Sequence, residues 1–385
     1  MDRMVSYFLR SVAVAAAVFH MYAAGVSPFT AMVHRPIHLA FMATLGFLGV
    51  GVQIVRSAGD REGRLSRIIS WTLTFLTILS CVYLASQHEA LVRRSGAPTT
   101  LDLVFAVVAL VVVLELARRA TGWGLVVVSG MALVYALAGP WLPGVLAHRG
   151  YTPGRILEHL YLSTEGIWGI PLGVSADFVY LFVLFGALLD RAGGGALLIA
   201  LADRVAGRTR GGPAKTSAVA SAFMGSLSGR AVANVVTTGT FTIPLMRSAG
   251  FKPAFAGAIE AAASTGGQLM PPVMGAGAFI LATWTNIPYP RVAAAAVIPS
   301  LLFYLALLAA IHFRAGKMGL VVNPDRNTER VMNRLHLLLP LAIIVVFLGM
   351  GRSPMRAAFW GVMCTIALSF LRKETRLSPG PMVEA

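Results

Sequence analysis

The chain has 385 residues, of which 57% are hydrophobic and 12% charged, and its mean hydropathy is +0.74. Those values exclude an ordinary soluble globular domain and indicate an integral membrane protein. The formal charge of +16 would suit a nucleic-acid binder, but the basic residues are mostly Arg in short loops between apolar runs, which is the distribution of membrane orientation and argues against nucleic acid as a partner.

A helix rising about 1.5 Å per residue needs about 20 apolar residues to cross a hydrocarbon core of about 30 Å. Stretches of that kind predict spans near 8–32, 37–55, 68–86, 101–117, 122–141, 173–190, 254–283, 292–313, 335–351 and 356–371. The first has a cleavage-like Tyr22-Ala23-Ala24, but more spans follow at once, so it reads as a retained helix rather than a signal peptide. Cys81 and Cys364 lie inside separate apolar runs and read as packing residues, which supports neither a disulfide framework nor a metal site. The segment 151–165 puts Leu157, Leu160 and Tyr161 on one side and Arg155, Glu158 and His159 on the other, the pattern of an interfacial amphipathic helix, with a loop as the plainer alternative.

Residues 211–246 break the apolar pattern. They contain GSLSGRAVANVVTTGT at 225–240, with small polar residues and one Arg where lipid-compatible side chains would be expected. The length suits either one tilted span or two half-helices entering and leaving on the same side. With a cytoplasmic N-terminus and a re-entrant segment, most basic residues fall inside, including the clusters at Arg56 to Arg67, Arg204 to Lys215, Arg314 to Arg334 and Arg372 to Arg376. A full span would turn the last two clusters outward, so the positive-inside rule favours a hairpin. Gly225, Ser226, Ser228 and Gly229 suit its tip, where glycine tolerates tight backbone and hydroxyls bond free helix ends. Carbonyls at one helix end attract a cation and N–H groups at the next attract an anion. Asn234, Thr237 and Thr238 follow at helical spacing, suited to a substrate carboxylate or to hydrogen bonds between helices.

The span at 254–283 carries EAAASTGGQLMPPVMGAG, in which Pro271 and Pro272 lack N–H donors and must interrupt the helix. The freed carbonyls, with Ser264, Thr265 and Gln268, make oxygen-rich surroundings of the kind a hard cation uses. A hairpin and an unwound helix together are the pattern of secondary transporters that bind near the bilayer midplane, although close helix packing and a kink would use the same residues. Glu260 sits about two turns into this span and needs a partner there, either as a structural carboxylate or in a substrate or proton role. The expected fold is therefore an all-α integral membrane protein with about ten transmembrane helices, one re-entrant helical hairpin and one broken helix.

The stretches HEALVRRSGAPTTLDLVF, LELARRATGW, HLYLSTEGIWGIPLGVSADFVYLFVLFGALLD, GGPAK, AVANV, FTIPLM and FAGAIEAAASTGGQLMPPVMGAGAFI strongly resemble the membrane component of TRAP transporters, the tripartite ATP-independent periplasmic transporters. The likeness is to the TAXI type, in which small and large subunits are fused, and runs from about residue 34 to 371. It implies a small-subunit-like four-helix portion at 1–120 and the first part of a large-subunit-like transport region at 121–385. It also implies a permease of the bacterial inner membrane that imports organic acids or amino acids delivered by a periplasmic substrate-binding protein. Sodium is the implied coupling ion, and no cofactor is implied. Carried over residue by residue, the resemblance puts Ser228, Gly229, Ser264, Thr265 and Gly266 near a cation, and Asn234, Thr237 and Gln268 near substrate.

Two departures accompany the likeness. The family's hairpin tip reads Ser-Gly-Ser, whereas Ser228, Gly229 and Arg230 stand here. Arg230 has three readings: a substrate-binding cation facing a water-filled vestibule, a tethered replacement for sodium, or a drifted position. The family's large subunit also has two inverted halves, and no second hairpin signature appears between 315 and 385, so the chain is expected to lack the C-terminal half or to receive it from a separate polypeptide. A truncated or split structural or regulatory subunit without transport is the alternative function. An enzyme is not expected, since GSLSG is not a G-x-S-x-G nucleophile turn and no His lies near it in sequence.

Overall fold

The computed structural model describes residues 2–50, 60–93, 96–320, 331–372 and 375–377. The end of the expected second span at 51–55, and Arg56, Arg326, Arg330 and Lys373 of the expected cytoplasmic charge, lie outside these residues. Every regular element among the described residues is helical, and the chain falls into two compact units, Met1–Ala176 and Asp177–Ala385.

The first unit contains α1 (Asp2–Gly25), α2 (Ala31–Leu45), α3 (Asp60–Arg93), α4 (Thr100–Thr121), α5 (Trp123–Ala138), α6 (Pro153–Tyr161) and α7 (Ile170–Val174). The sequence Thr99-Thr100-Leu101-Asp102 starts α4 with a reciprocal cap: Thr99 Oγ1 accepts from Asp102 N at 3.3 Å and Asp102 Oδ2 accepts from Thr99 N at 2.8 Å. Leu39, Cys81, Leu84, Ala106 and Ala109 form the core between α2, α3 and α4, and Cys81 is the packing residue its setting predicted. The segment 151–165 contains a true helix, α6, which is anchored rather than loose. Tyr161 is buried and its hydroxyl donates to Ser80 O at 2.7 Å, while Trp168 Nε1 donates to Tyr161 O at 2.6 Å. By contrast, α5 buries none of its residues and exposes Leu125, Val127, Val128, Met131 and Val134, which suits a lipid-facing helix.

The second unit contains α8 (Tyr180–Arg191), α9 (Gly194–Ala206), α10 (Gly212–Ser228), α11 (Ala231–Ser248), α12 (Pro253–Gly266), α13 (Ala276–Thr285), α14 (Tyr289–Lys317), α15 (Leu339–Gly349) and α16 (Pro354–Ser369). Its core is rich in alanine, with Ala214, Ala218, Ala222, Ala256, Ala263 and Ala315 fully or nearly buried beside Ile259, Tyr304 and Ile311. Small side chains let α10, α12 and α14 approach closely, as expected where lipid supplies no hydrophobic contrast.

Among the described residues, six helices are long and apolar enough to cross a membrane: Met4–Gly25, Leu65–Leu91, Thr100–Thr121, Trp123–Trp141, Ile170–Arg191 and Tyr289–Lys317. The expected count of about ten thus resolves into six clear spans and several shorter helices. The expected span at 254–283 is split between α12 and α13. Those at 335–351 and 356–371 correspond to Arg334–Gly349 and α16, each of 16 residues, or about 24 Å of helix.

Candidate functional site

Two interruptions of the helical backbone meet in the second unit. At the first, α10 ends at Ser228, Gly229 adopts a left-handed conformation (φ +60°) and donates its N–H to Gly225 O at 2.9 Å, and Arg230 is extended before α11 begins. Glycine suits this position because it alone enters the left-handed region without cost, and here a Cβ would also collide with Met274 O. Residues 211–246 therefore form two helical arms joined by Gly229 and Arg230; of the residues expected at the tip, Gly229 lies in it, whereas Gly225, Ser226 and Ser228 belong to the last turn of α10 because the helix continues up to the left-handed Gly229.

At the second, α12 ends at Gly266, a single 3-10 turn covers Gly267–Leu269, and helix resumes only at Ala276. The paired prolines sit in the gap. Their missing N–H groups deprive Gly267 O and Gln268 O of helical donors, which Met270 N at 3.2 Å and Gly275 N at 2.8 Å replace, and within the gap the buried Tyr289 hydroxyl donates within reach of both Pro272 O, at 2.8 Å, and Val273 O. Tyr289 also stacks on Phe279, with centroids 4.3 Å apart.

The tip lies directly on the break. Val273 N donates to Ser226 O at 3.1 Å, and Gly225 faces Gly267 backbone to backbone. An open recess of about 790 Å³ lies beside this junction, lined by residues that include Gly229, Arg230, Thr237, Gln268, Gly275 and Gly277.

The sequence-predicted residues are distributed unevenly around it. Arg230, Thr237 and Gln268 all line the recess, and the Arg230 side chain is exposed. Thr237 Oγ1 donates to Ala233 O at 2.9 Å. Asn234 is 2% exposed and lies away from the recess lining; its Nδ2 donates to Ser221 O at 2.9 Å, and its Oδ1 has no hydrogen-bond partner among the described residues. Ser228 and Gly229 are at the tip, both half-buried. Ser264 is fully buried with its hydroxyl 3.3 Å from Glu260 Oε1, exposed Thr265 bonds Ala261 O at 2.8 Å, and Gly266 is pressed against the Phe303 ring.

Glu260 itself is fully buried and ringed by hydroxyls. Ser217 and Thr242 stand 2.6 Å from Oε2, Ser221 stands 3.0 Å from Oε1, and Thr238 and Ser264 also reach Oε1. Gly239 makes room for it, since a Cβ there would stand 3.2 Å from Glu260 Cγ. Of the five hydroxyl residues, the sequence reading gave a site role to Ser264 and Thr238 only. The signal was present: Ser217 and Ser221, Thr238 and Thr242, and Glu260 and Ser264 are each one helical turn apart and so share a face. Among the described residues, no group of three or more His, Cys, Asp or Glu side chains has the geometry to hold a metal ion.

The family model described as "Tripartite ATP-independent periplasmic transporter, DctM component" matches residues 108–381. The chain is 24% identical over 371 residues to the sialic acid TRAP transporter permease SiaT of Haemophilus influenzae, an alignment covering 88% of this chain and 59% of SiaT. It is 32% identical over 145 residues to the C4-dicarboxylate TRAP transporter large permease DctM of Vibrio cholerae, covering 37% of this chain and 31% of that protein. It is 28% identical over 192 residues to the isethionate TRAP transporter permease DctMQ of Oleidesulfovibrio alaskensis, covering 47% and 30% respectively. The chain spans about half the length of the curated relatives it matches. The matched family is one of membrane transport components rather than enzymes, and the family model covers well over half of the chain, including both backbone interruptions. This protein belongs to the DctM family of TRAP transporter permease components.

Proposed function

We propose that the chain is the membrane permease component of a binding-protein-dependent secondary transporter of the TAXI type, coupled to a cation, and that it imports organic acids or amino acids. The observation that carries this reading is the recess beside the tip-on-break junction, where one exposed guanidinium, a threonine and a glutamine surround an open volume. A guanidinium offers paired N–H donors to a carboxylate, and helix N-termini add to the attraction for an anion. The relatives are named for sialic acid, C4-dicarboxylates and isethionate, all anions, which agrees with an anionic cargo.

On this reading Arg230, Thr237 and Gln268 contact substrate, with Asn234 behind them. Sodium is the coupling ion, drawn to the carbonyl-rich end of α10 at Ser228 and Gly229 and to the break after Ser264, Thr265 and Gly266. Residues 1–120 act as the small-subunit-like portion and 121–385 as the transport portion. The N-terminus is cytoplasmic, and a periplasmic substrate-binding protein delivers the cargo. Proteoliposomes carrying the permease and its cognate binding protein, given an imposed sodium gradient and labelled organic and amino acids, test the reading. Uptake that follows the gradient supports it; uptake at the same rate with and without sodium refutes sodium coupling.

A further inference from the structure

We propose that the end of α14 and the start of α10 form a binding site for an acidic phospholipid, whose phosphate is held by Arg210, Lys215 and Lys317 while an acyl chain lies along the exposed face of α14. None of these residues lines the substrate recess, and the proposal stands without the transport reading.

The first observation is how two cations are brought onto one edge of α14. Residues Tyr289–Lys317 are long and apolar enough to cross a membrane, so their last turn lies where acyl chains give way to headgroups. The start of α10 packs there: a Cβ on Gly211 would stand 2.8 Å from Ala315 Cβ and 3.5 Å from Ile311 Cγ2. That close approach carries the flanking residues along. Lys215 Nζ lies 3.1 Å from His312 Nδ1, and Arg210 Nη1 lies 3.3 Å from the position of a Cβ on Gly316. His312 and Gly316 share one face of α14, so an ammonium and a guanidinium are placed one helical turn apart along it.

The second observation is that no carboxylate is built to meet these charges. The helices α10, α13, α14 and α15 contain no Asp or Glu, and Glu260 of α12 is buried among hydroxyls. Asp203 of α9 accepts from Thr216 Oγ1 at 3.1 Å. Arg210, Lys215 and Lys317 form no ion pair among the described residues. Neighbouring like charges repel, and an anion placed between them removes that cost. The N-terminal end of α10 adds partial positive charge at the same place.

The third observation is the surface that leads away from the charges. Ile298, Leu302, Leu305 and Phe313, each 61–70% exposed, follow one side of α14 at spacings of one or two turns, and exposed Lys317 lies one turn beyond Phe313. This face is apolar along its length and basic at its end, which complements an amphiphile with an anionic head. A zwitterionic phospholipid fits less well, because its cationic group would meet Arg210 and Lys215 with no carboxylate to receive it. Phosphate accepts charge-assisted hydrogen bonds from a guanidinium and an ammonium together, and basic pockets between membrane helices suit such headgroups. A lipid bound in this way joins the first arm of the hairpin, through Lys215, to α14, through Lys317.

Native mass spectrometry of the full chain in detergent, titrated with phosphatidylglycerol or with phosphatidylcholine of the same acyl chains, tests the site. Phosphatidylglycerol is expected to bind more tightly, and Arg210→Gln and Lys215→Gln are each expected to weaken it about fivefold, the scale of one lost cation near a membrane surface. Glutamine at 215 keeps a donor for His312, and Lys317→Gln, at an exposed position, gives a reading that leaves the packing of α10 on α14 untouched. Arg372→Gln is the control: this Arg is exposed beyond the end of α16, on the same expected side of the membrane, and its loss is expected to leave lipid binding unchanged. Equal affinity for the two lipids would overturn the proposal. So would an equal loss in Arg372→Gln, which would reduce the site to diffuse charge attraction. Displacement of the lipid by glycerol phosphate at the same concentration would make the ligand a soluble anion, and a lipid-free dimer that is lost in Phe313→Ser would give the face to a second copy of the chain; either result refutes the lipid site.

Discussion

Gly225 of α10 and Gly267, just beyond α12, touch through their backbones: a Cβ on Gly267 would stand 2.7 Å from Gly225 Cα. The hairpin tip can lie against the broken helix only because neither residue has a side chain. Since the obstacle on each side is main chain, no rotamer change can relieve a methyl group added there. Gly225→Ala is expected to destabilise the second unit by about 1–3 kcal/mol, the usual cost of overpacking. Gly257→Ala, in α12 with open space around its Cβ position, is the control and is expected to stabilise by up to about 1 kcal/mol through helix propensity. Thermal unfolding in detergent reads both. Equal stability of Gly225→Ala and the parent chain would contradict the close contact.

Tyr289 closes the break opened by Pro271 and Pro272. Tyr289→Phe keeps the stack on Phe279 but removes the donor shared by Pro272 O and Val273 O. The expected loss is about 1–3 kcal/mol, the cost of leaving a buried acceptor unpaired. A melting temperature unchanged from the parent would mean that the carbonyls at the break find other partners.

The hairpin and the break were legible because their glycines and prolines are clustered: Gly225 and Gly229 stand among serines, and the adjacent Pro271 and Pro272 remove two N–H donors in a row, whereas the single Pro36, Pro244 and Pro299 stay inside continuous helices. The number of spans was harder to read. Hydropathy registers 356–371 as strongly as a longer segment, yet Pro354 and Ser369 bound a helix too short to cross alone. The Glu260 cage was hidden for a different reason: Ser217 and Ser221 sit among alanines, where small residues also serve close helix packing. Only the approach of α10, α11 and α12 turns five separate hydroxyls into one environment. The same holds for Ser264, read from the sequence as a cation neighbour and found with its hydroxyl on Glu260.

Cysteine accessibility tests the orientation of the hairpin. Gly211 is unsuitable as a labelling position because its φ of +71° and the nearby Ala315 would strain any side chain. Arg208 and Ser248 are exposed, one before α10 and one at the end of α11. In a chain whose Cys81 and Cys364 are replaced by alanine, Arg208→Cys and Ser248→Cys are each expected to react with an impermeant reagent from the cytoplasmic side only. Labelling of the two from opposite faces would mean that 211–246 crosses the membrane, and the charge argument for a hairpin would fail with it.

Arg230 allows stability and ligand binding to be separated. It is the N-cap residue of α11, and its side chain makes no capping hydrogen bond. Serine is a favoured residue at that position because its oxygen accepts from the free N–H groups of the first turn, a gain of about 0.5–2 kcal/mol over a residue that does not cap. If Arg230 had merely drifted, Arg230→Ser would stabilise the chain and change nothing else. If its guanidinium stood in for sodium, the same substitution would make ligand binding more dependent on sodium. The exposed side chain on the recess leads to a third expectation: Arg230→Ser raises the melting temperature while weakening the binding of organic anions about tenfold or more, the scale of one lost charge-assisted pair at about 1.5–3 kcal/mol, with sodium dependence unchanged. Arg230→Lys keeps the charge but not the paired donors and is expected to fall between the two. Calorimetric titration of carboxylates into the reconstituted chain, with and without sodium, distinguishes the three. A more stable Arg230→Ser protein that binds anions as tightly as the parent would remove Arg230 from the substrate site.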